Sequence, residues 1–206
     1  MTKLIDISQK LMNGIPVWTG DTEFQTFWKM EIEKGASCNV GSVTMSLHTG
    51  THADAPRHFQ IRGLDIAEMN LETFIGPAYV LDLTKVRFVE KSSLEKLIKH
   101  RPERVLFRTM TANKTKFDGA FSYIAPDAAK FLADLKIKLV GVDTPSVDKS
   151  DSKALETHKI LAEHNIAILE NLDLDDVTEG TYELIAFPLK LAGMDASPVR
   201  AVLRTL

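Results

Sequence analysis

Short apolar runs alternate with amphipathic stretches along most of this chain. Residues 3–8, 40–48, 78–84, 104–109, 138–143, 166–170, 181–190 and 198–205 are rich in Val, Ile, Leu and Phe and end at turn residues, a pattern that predicts strands. Helices are predicted over 92–100, 126–136 and 151–164. The second opens with Pro126 and Asp127, a helix start signal, and the third follows Ser150 and Asp151, either of which can cap it. So many strands against three helices predict a strand-rich mixed α/β fold rather than a regular doubly wound sheet. Pro and Gly are scattered and no linker divides the chain, so residues 1–206 are expected to form a single domain.

The same pattern sorts polar residues onto faces. Residues 43–48 alternate, with Val43, Met45 and Leu47 on one side and Thr44, Ser46 and His48 on the other, so His48 leaves on the polar side. Thr49-Gly50-Thr51 then supplies a turn, and Pro56 favours an extended Ala55. If 52–58 runs extended, His52, Asp54 and His58 share one side while Ala53 and Arg57 face the other. In the helix predicted over 151–164, Ala154, His158, Leu161 and Ala162 form one stripe, which makes His158 the polar residue on the buried face. The run from Ile166 to Leu169 ends at Glu170, and a carboxylate ending a buried strand needs a cation or several donors.

These positions matter because three of the six histidines fall between His48 and His58, with Asp54 among them. Imidazole and carboxylate suit zinc and similar divalent ions, and a Gly-containing turn lets sequence neighbours converge on one ion. Taken alone, His158 reads as a core histidine and Glu170 as a loop cap. Beside the histidine loop both become candidate ligands.

Composition narrows the remaining classes. With 44% hydrophobic residues in 206 the chain can bury a full core, and a net charge of −3 gives no basic field for nucleic acid or an anionic membrane. The N-terminal MTKLIDISQKL lacks the apolar core of a signal peptide, and no apolar run is long enough to span a bilayer. The lone Cys38 excludes an internal disulfide, fits a reducing cytoplasm, and reads as a small buried hydrophobe. There is no G-x-S-x-G elbow and no glycine-rich phosphate loop. Trp18, in a turn-rich loop, can stack on an aromatic substrate or simply pack; Trp28 is assigned to packing.

At this point the residues resemble a known family. WTGDTEF at 18–24, SLHTGTHADAPRHF at 46–59, GVDTPSVD at 141–148, His158, ILENLDL at 168–174 and SPVRAV at 197–202 are similar, in order and spacing, to the cyclase family of metal-dependent hydrolases. Trp18, the 141–148 segment and the C-terminal segment point to its bacterial kynurenine formamidase branch. The resemblance implies a compact β/β/α fold of the swivelling type, forming a homodimer or larger homo-oligomer. It implies two divalent metals per subunit, zinc or else manganese. His48, His52 and Asp54 would bind one and His158 the second, with Asp54 and Glu170 shared. His58 would be the proton donor and acceptor, and Trp18 a substrate contact. Arg57 stands where these formamidases usually carry an aromatic or apolar residue, and Thr19 where Pro is common.

The implied reaction is hydrolysis of a small aromatic formamide, N-formyl-L-kynurenine, to L-kynurenine and formate in tryptophan catabolism. Metal-activated hydroxide would attack the formyl carbon while His58 passes a proton to the leaving arylamine. The alternative within the family is hydrolysis of another amide or a cyclic one such as isatin. A metal-stabilised binding protein is the alternative outside it. Structural zinc sites are usually closed Cys/His sets, however, and no cysteine accompanies these histidines.

Overall fold

The computed structural model describes residues 2–109 and 121–206. In chain order these form strand β1 (Leu4–Asp6), strands β2 (Gln25–Met30) and β3 (Val40–Thr44), the short β4 (His52–Asp54) and the long β5 (Ile75–Leu83). Then come α1 (Lys91–Leu97), β6 (Arg104–Thr109), α2 (Pro126–Asp134), β7 (Leu139–Val142), α3 (Glu156–Glu163) and β8 (Ala167–Glu170). The strands β9 (Gly180–Ile185), β10 (Ala196–Pro198) and β11 (Val202–Thr205) complete the order.

Nine of the strands make one sheet in the order β1-β11-β9-β5-β6-β7-β8-β4-β10, and β2 pairs with β3 in a separate hairpin. Its centre, β5 to β8, is parallel, and its flanks are antiparallel. Parallel neighbours need long crossovers, and α1, α2 and α3 lie in the three that join β5, β6, β7 and β8. Central strands are covered on both sides, which is why β7 is buried at every residue and reads as a continuous apolar run. Leu94, Leu132 and Leu161 of the three helices pack with Leu81, Phe107, Val140 and Ile168 on one face. Alternate residues Val80, Leu106, Leu139 and Leu169 face a second core with Phe74, Leu184 and Leu203. The strand-rich mixed α/β fold expected from the sequence is the fold observed. Among the described residues no helix is long and apolar enough to cross a membrane.

Several boundaries differ from the sequence reading. The strand predicted to reach 48 stops at Thr44, because Ser46 takes the backbone N–H of His48 on its hydroxyl and that of Thr49 on its carbonyl. The extended stretch expected over 52–58 ends at Asp54. Pro56–His58 instead form a 3-10 turn, with His58 N donating to Ala55 O at 2.9 Å. Gly63 makes that turn possible: a Cβ there would sit 2.4 Å from the Pro56 carbonyl carbon. The third helix begins at Glu156, so Ser150 and Asp151 lie ahead of it, and the capping carboxylate is Asp148, which accepts from Thr157 N and His158 N. Its buried face is Thr157, His158 and Leu161; Ala154 is exposed and precedes the helix. Cys38 is exposed rather than buried. Trp28, assigned to packing, is 60% exposed on the hairpin, where it covers only Gly41 among the described glycines.

Candidate metal centre

Strand pairing builds the centre. β4 runs antiparallel to β8 with His52 directly opposite Glu170, and Asp54, two residues along, shares their face. All three are buried. Glu170 ends β8 at the carboxyl edge of the parallel strands, the edge where open α/β sheets usually bind ligands. Above it, α3 lowers the buried His158 so that its Nε2 lies 3.4 Å from both Asp54 Oδ2 and Glu170 Oε1. His52 Nε2 lies 3.3 Å from Asp54 Oδ1 and 3.5 Å from Glu170 Oε2. From the loop before β4, His48 brings Nδ1 to 3.2 Å from Asp54 Oδ1. The His58 ring stands 4.2 Å from that of His48 and 6.0 Å from that of His158, centre to centre.

Each inner ring is aimed by a partner on its far side. His52 Nδ1 lies 2.8 Å from Gly50 O, and His158 Nδ1 2.6 Å from Asp148 Oδ2. Glu170 Oε1 accepts from Val147 N at 2.8 Å. Partners of this kind fix the imidazole orientation at metal sites and direct the other nitrogen inward.

The inner atoms fit a cation. Asp54 Oδ1 and Oδ2 and His52 Nε2 are buried without a hydrogen bond of acceptable geometry, although His52 and Asp54 come within ion-pair distance. Buried carboxylate oxygens left in that state are costly unless a positive charge faces them. The donor atoms of His52, Asp54 and Glu170 lie within 4.8 Å of one another, and so do those of His48, Asp54 and His58. An all-N/O set of this kind suits a divalent ion.

Protons balance the charge of the protein alone. Burial opposes ionisation of His52, yet Asp54 and Glu170 push it up to about 10. Burial likewise opposes charging of His158, and Asp148, Asp54 and Glu170 raise it well above the ordinary histidine value. For His48 the opposition of burial is overcome by Asp195 and Asp54, and it rises to about 9. Asp54 is held well below the usual carboxylate range by His158, His48 and His52, against the effect of its burial. A divalent ion would replace these protons.

The structure thus brings His48, His52, Asp54, His58, His158 and Glu170 to one place. Trp18 joins them on the wall of an adjoining cavity of about 450 Å³, its ring edge-on to Phe121 at 6.4 Å. Arg57 does not line the cavity; it is exposed near Asp65. Two carboxylates escaped the sequence reading. Asp148 lay inside a quoted motif, but nothing local ties it to a histidine ten residues on. Asp195 precedes β10, and its Oδ2 reaches His48 Nε2 at 3.0 Å and His58 Nδ1 at 3.4 Å. No sequence spacing marks it, since it stands 137 residues from His58.

Comparison with known proteins agrees with this architecture. Residues 5–149 match the family described as "Putative cyclase". A kynurenine formamidase of Bacillus thuringiensis (strain Al Hakam) is 45% identical, over 98% of this chain and 97% of its own. One of Bacillus anthracis is 44% identical, over 100% of this chain and 99% of its own. A solved structure described as a potential metal-dependent hydrolase with cyclase activity superposes with a TM-score of 0.87 at 33% identity, covering 100% of this chain and 99% of its own. Isatin hydrolase A from Labrenzia aggregata, bound to benzyl benzoate, superposes with a TM-score of 0.84 at 25% identity over 99% of this chain and 94% of its own. By its sequence, its fold and its buried histidine–carboxylate centre, the chain belongs to the cyclase family of metal-dependent hydrolases.

Proposed function

We propose that this enzyme is an arylformamidase that hydrolyses N-formyl-L-kynurenine to L-kynurenine and formate. The observation that carries the reading is likeness to kynurenine formamidases at 44–45% identity along essentially the whole chain. An aromatic wall at Trp18 beside the histidine–carboxylate centre supports it, because the scissile formamide sits on an aryl ring. The whole chain acts as one domain in this reading, in the cytoplasm and within tryptophan catabolism.

Two divalent ions, zinc by preference, are assigned to the centre. His48 and His52 would hold one and His158 the other, with Asp54 and Glu170 available to both. The short distances from Asp54 to His48, His52 and His158 support its sharing a site with all three histidines. When bound, the metals supply Lewis acidity and a water that ionises near neutral pH. The chain's residues do the rest. Asp148 and Gly50 O hold His158 and His52 in register. Trp18 seats the aryl ring.

His58 is assigned the proton transfer to the departing arylamine nitrogen. Its side chain is 32% exposed, more open than His48, and Asp195 engages its Nδ1, leaving Nε2 available to substrate. Self-association is supported by the hairpin, where Phe27, Trp28, Met30 and Val43 are all exposed.

Opening of a cyclic amide is the second reading, favoured by the similarity to isatin hydrolase A. Hydrolysis rates on N-formyl-L-kynurenine, formanilide and isatin, each with and without added metal, separate the two. The proposal expects N-formyl-L-kynurenine to be the best substrate and chelation to stop turnover. Protein that opens isatin and ignores the formamides overturns it.

A further inference from the structure

The cavity beside the metal centre carries one fixed charge of each sign that the chemistry above does not use. Among its described lining residues, Lys149 is the only lysine or arginine, and Asp21 the only carboxylate besides Glu170. Trp18 and Leu155 are apolar members of the same wall.

Both charges grow from anchored backbone. Asp21 N donates to Trp18 O at 2.9 Å, closing a turn whose third residue, Gly20, has φ 89°. That left-handed position favours glycine, and the turn keeps its first and last Cα atoms within about 7 Å. Trp18 and Asp21 are therefore presented together. Asp21 Oδ1 also accepts from Thr22 N at 2.7 Å. Lys149 directly follows Asp148, whose carboxylate is tied to His158 and to the start of α3. Its Nζ pairs with Asp151 at 3.0 Å, but both side chains are well exposed, and such surface pairs contribute little. An incoming carboxylate can take that ammonium over.

We propose that Lys149 and Asp21 form a subsite for an amino-acid zwitterion, Lys149 receiving the carboxylate and Asp21 the ammonium. The inference rests on the formamidase reading and names the part of the substrate it selects. N-Formyl-L-kynurenine carries its zwitterion on the side chain of an aryl ketone, attached to the ring carbon next to the one that bears the scissile formamide. Isatin and formanilide have no such group. With the formamide at the histidines and the ring against Trp18, the neighbouring amino-acid side chain would extend to Asp21 and Lys149, exposed residues of the same cavity lining.

The test compares N-formyl-L-kynurenine with 2′-formamidoacetophenone, which keeps the aryl ketone and formamide and lacks the amino acid. Metal-loaded wild type, Lys149→Met, Lys149→Arg and Asp21→Asn are assayed on both. The ratio of kcat/KM for the first substrate over the second should fall about 10-fold in Lys149→Met and in Asp21→Asn, the loss expected of a charged hydrogen bond. Lys149→Arg should keep most of it. General damage to the fold or the metals lowers both rates together and cannot produce this change. Ratios equal to wild type in Lys149→Met and Asp21→Asn overturn the subsite. Wild type that hydrolyses the acetophenone and not N-formyl-L-kynurenine overturns the substrate reading itself, a different result.

Discussion

The Asp148 carboxylate grips His158 twice, accepting its backbone N–H at 3.0 Å and meeting its ring Nδ1 at 2.6 Å. One side chain thereby starts a helix and aims the histidine that helix carries. Asp148→Ala should weaken metal binding by ~10–100-fold and lower stability by about 0.5–2 kcal/mol as a lost cap. Metal titration and thermal melting read the two effects separately. Metal affinity equal to wild type would leave Asp148 a cap and nothing more.

His52 and His58 should part company on substitution. His52→Ala removes a buried nitrogen 3.3 Å from Asp54 and should lose metal and activity together. His58→Ala should lower turnover by ~10²–10⁴-fold and retain both metals by elemental analysis. Loss of a metal from His58→Ala would instead make it a ligand with His48 and Asp54.

Asp195 bridges the two kinds of histidine, through His48 Nε2 at 3.0 Å and His58 Nδ1 at 3.4 Å. Asp195→Asn keeps the size of the side chain and removes its charge. It should reduce kcat/KM by ~10–100-fold and displace the pH–rate profile, while Asp195→Glu restores part of the rate. A profile that keeps its position assigns Asp195 a purely structural role.

Without metal, stability should depend on pH in a defined direction. The hydrogen bond from His48 holds the Asp195 carboxyl at about 2, so that contribution is present above pH ~3.8 and is lost as pH falls through about 2. Burial opposes charging of His48, yet Asp195 and Asp54 raise it to about 9, so its contribution is complete below pH ~6.5 and is lost as pH rises through about 9. The melting temperature of chelator-treated protein should therefore fall between pH 6.5 and pH 9. Metal-loaded protein should show a shallower decline, since ions replace the protons. A melting temperature of the chelated protein that rises over this interval contradicts the assignment.

Trp18→Ala should raise KM for N-formyl-L-kynurenine more than it lowers kcat, as loss of equally shared ground-state and transition-state binding does. An unchanged KM removes Trp18 from the substrate's seat.

The sequence by itself determined the central strands, the three helices and the histidines and carboxylates that gather at the candidate metal centre. Apolar strands such as Leu139–Val142 declare themselves because burial on both faces is written into every consecutive residue. The histidine loop was legible because its chemistry is concentrated in a few adjacent positions. Register and reach were not. His52 faces Glu170 only because β4, too short to show a period of its own, pairs with β8. Asp195 meets His48 and His58 only because β10 closes the sheet beside β4. Strand pairing and crossovers join residues far apart in the chain, and no local period of hydrophobicity encodes such a join; the tertiary structure alone decides it.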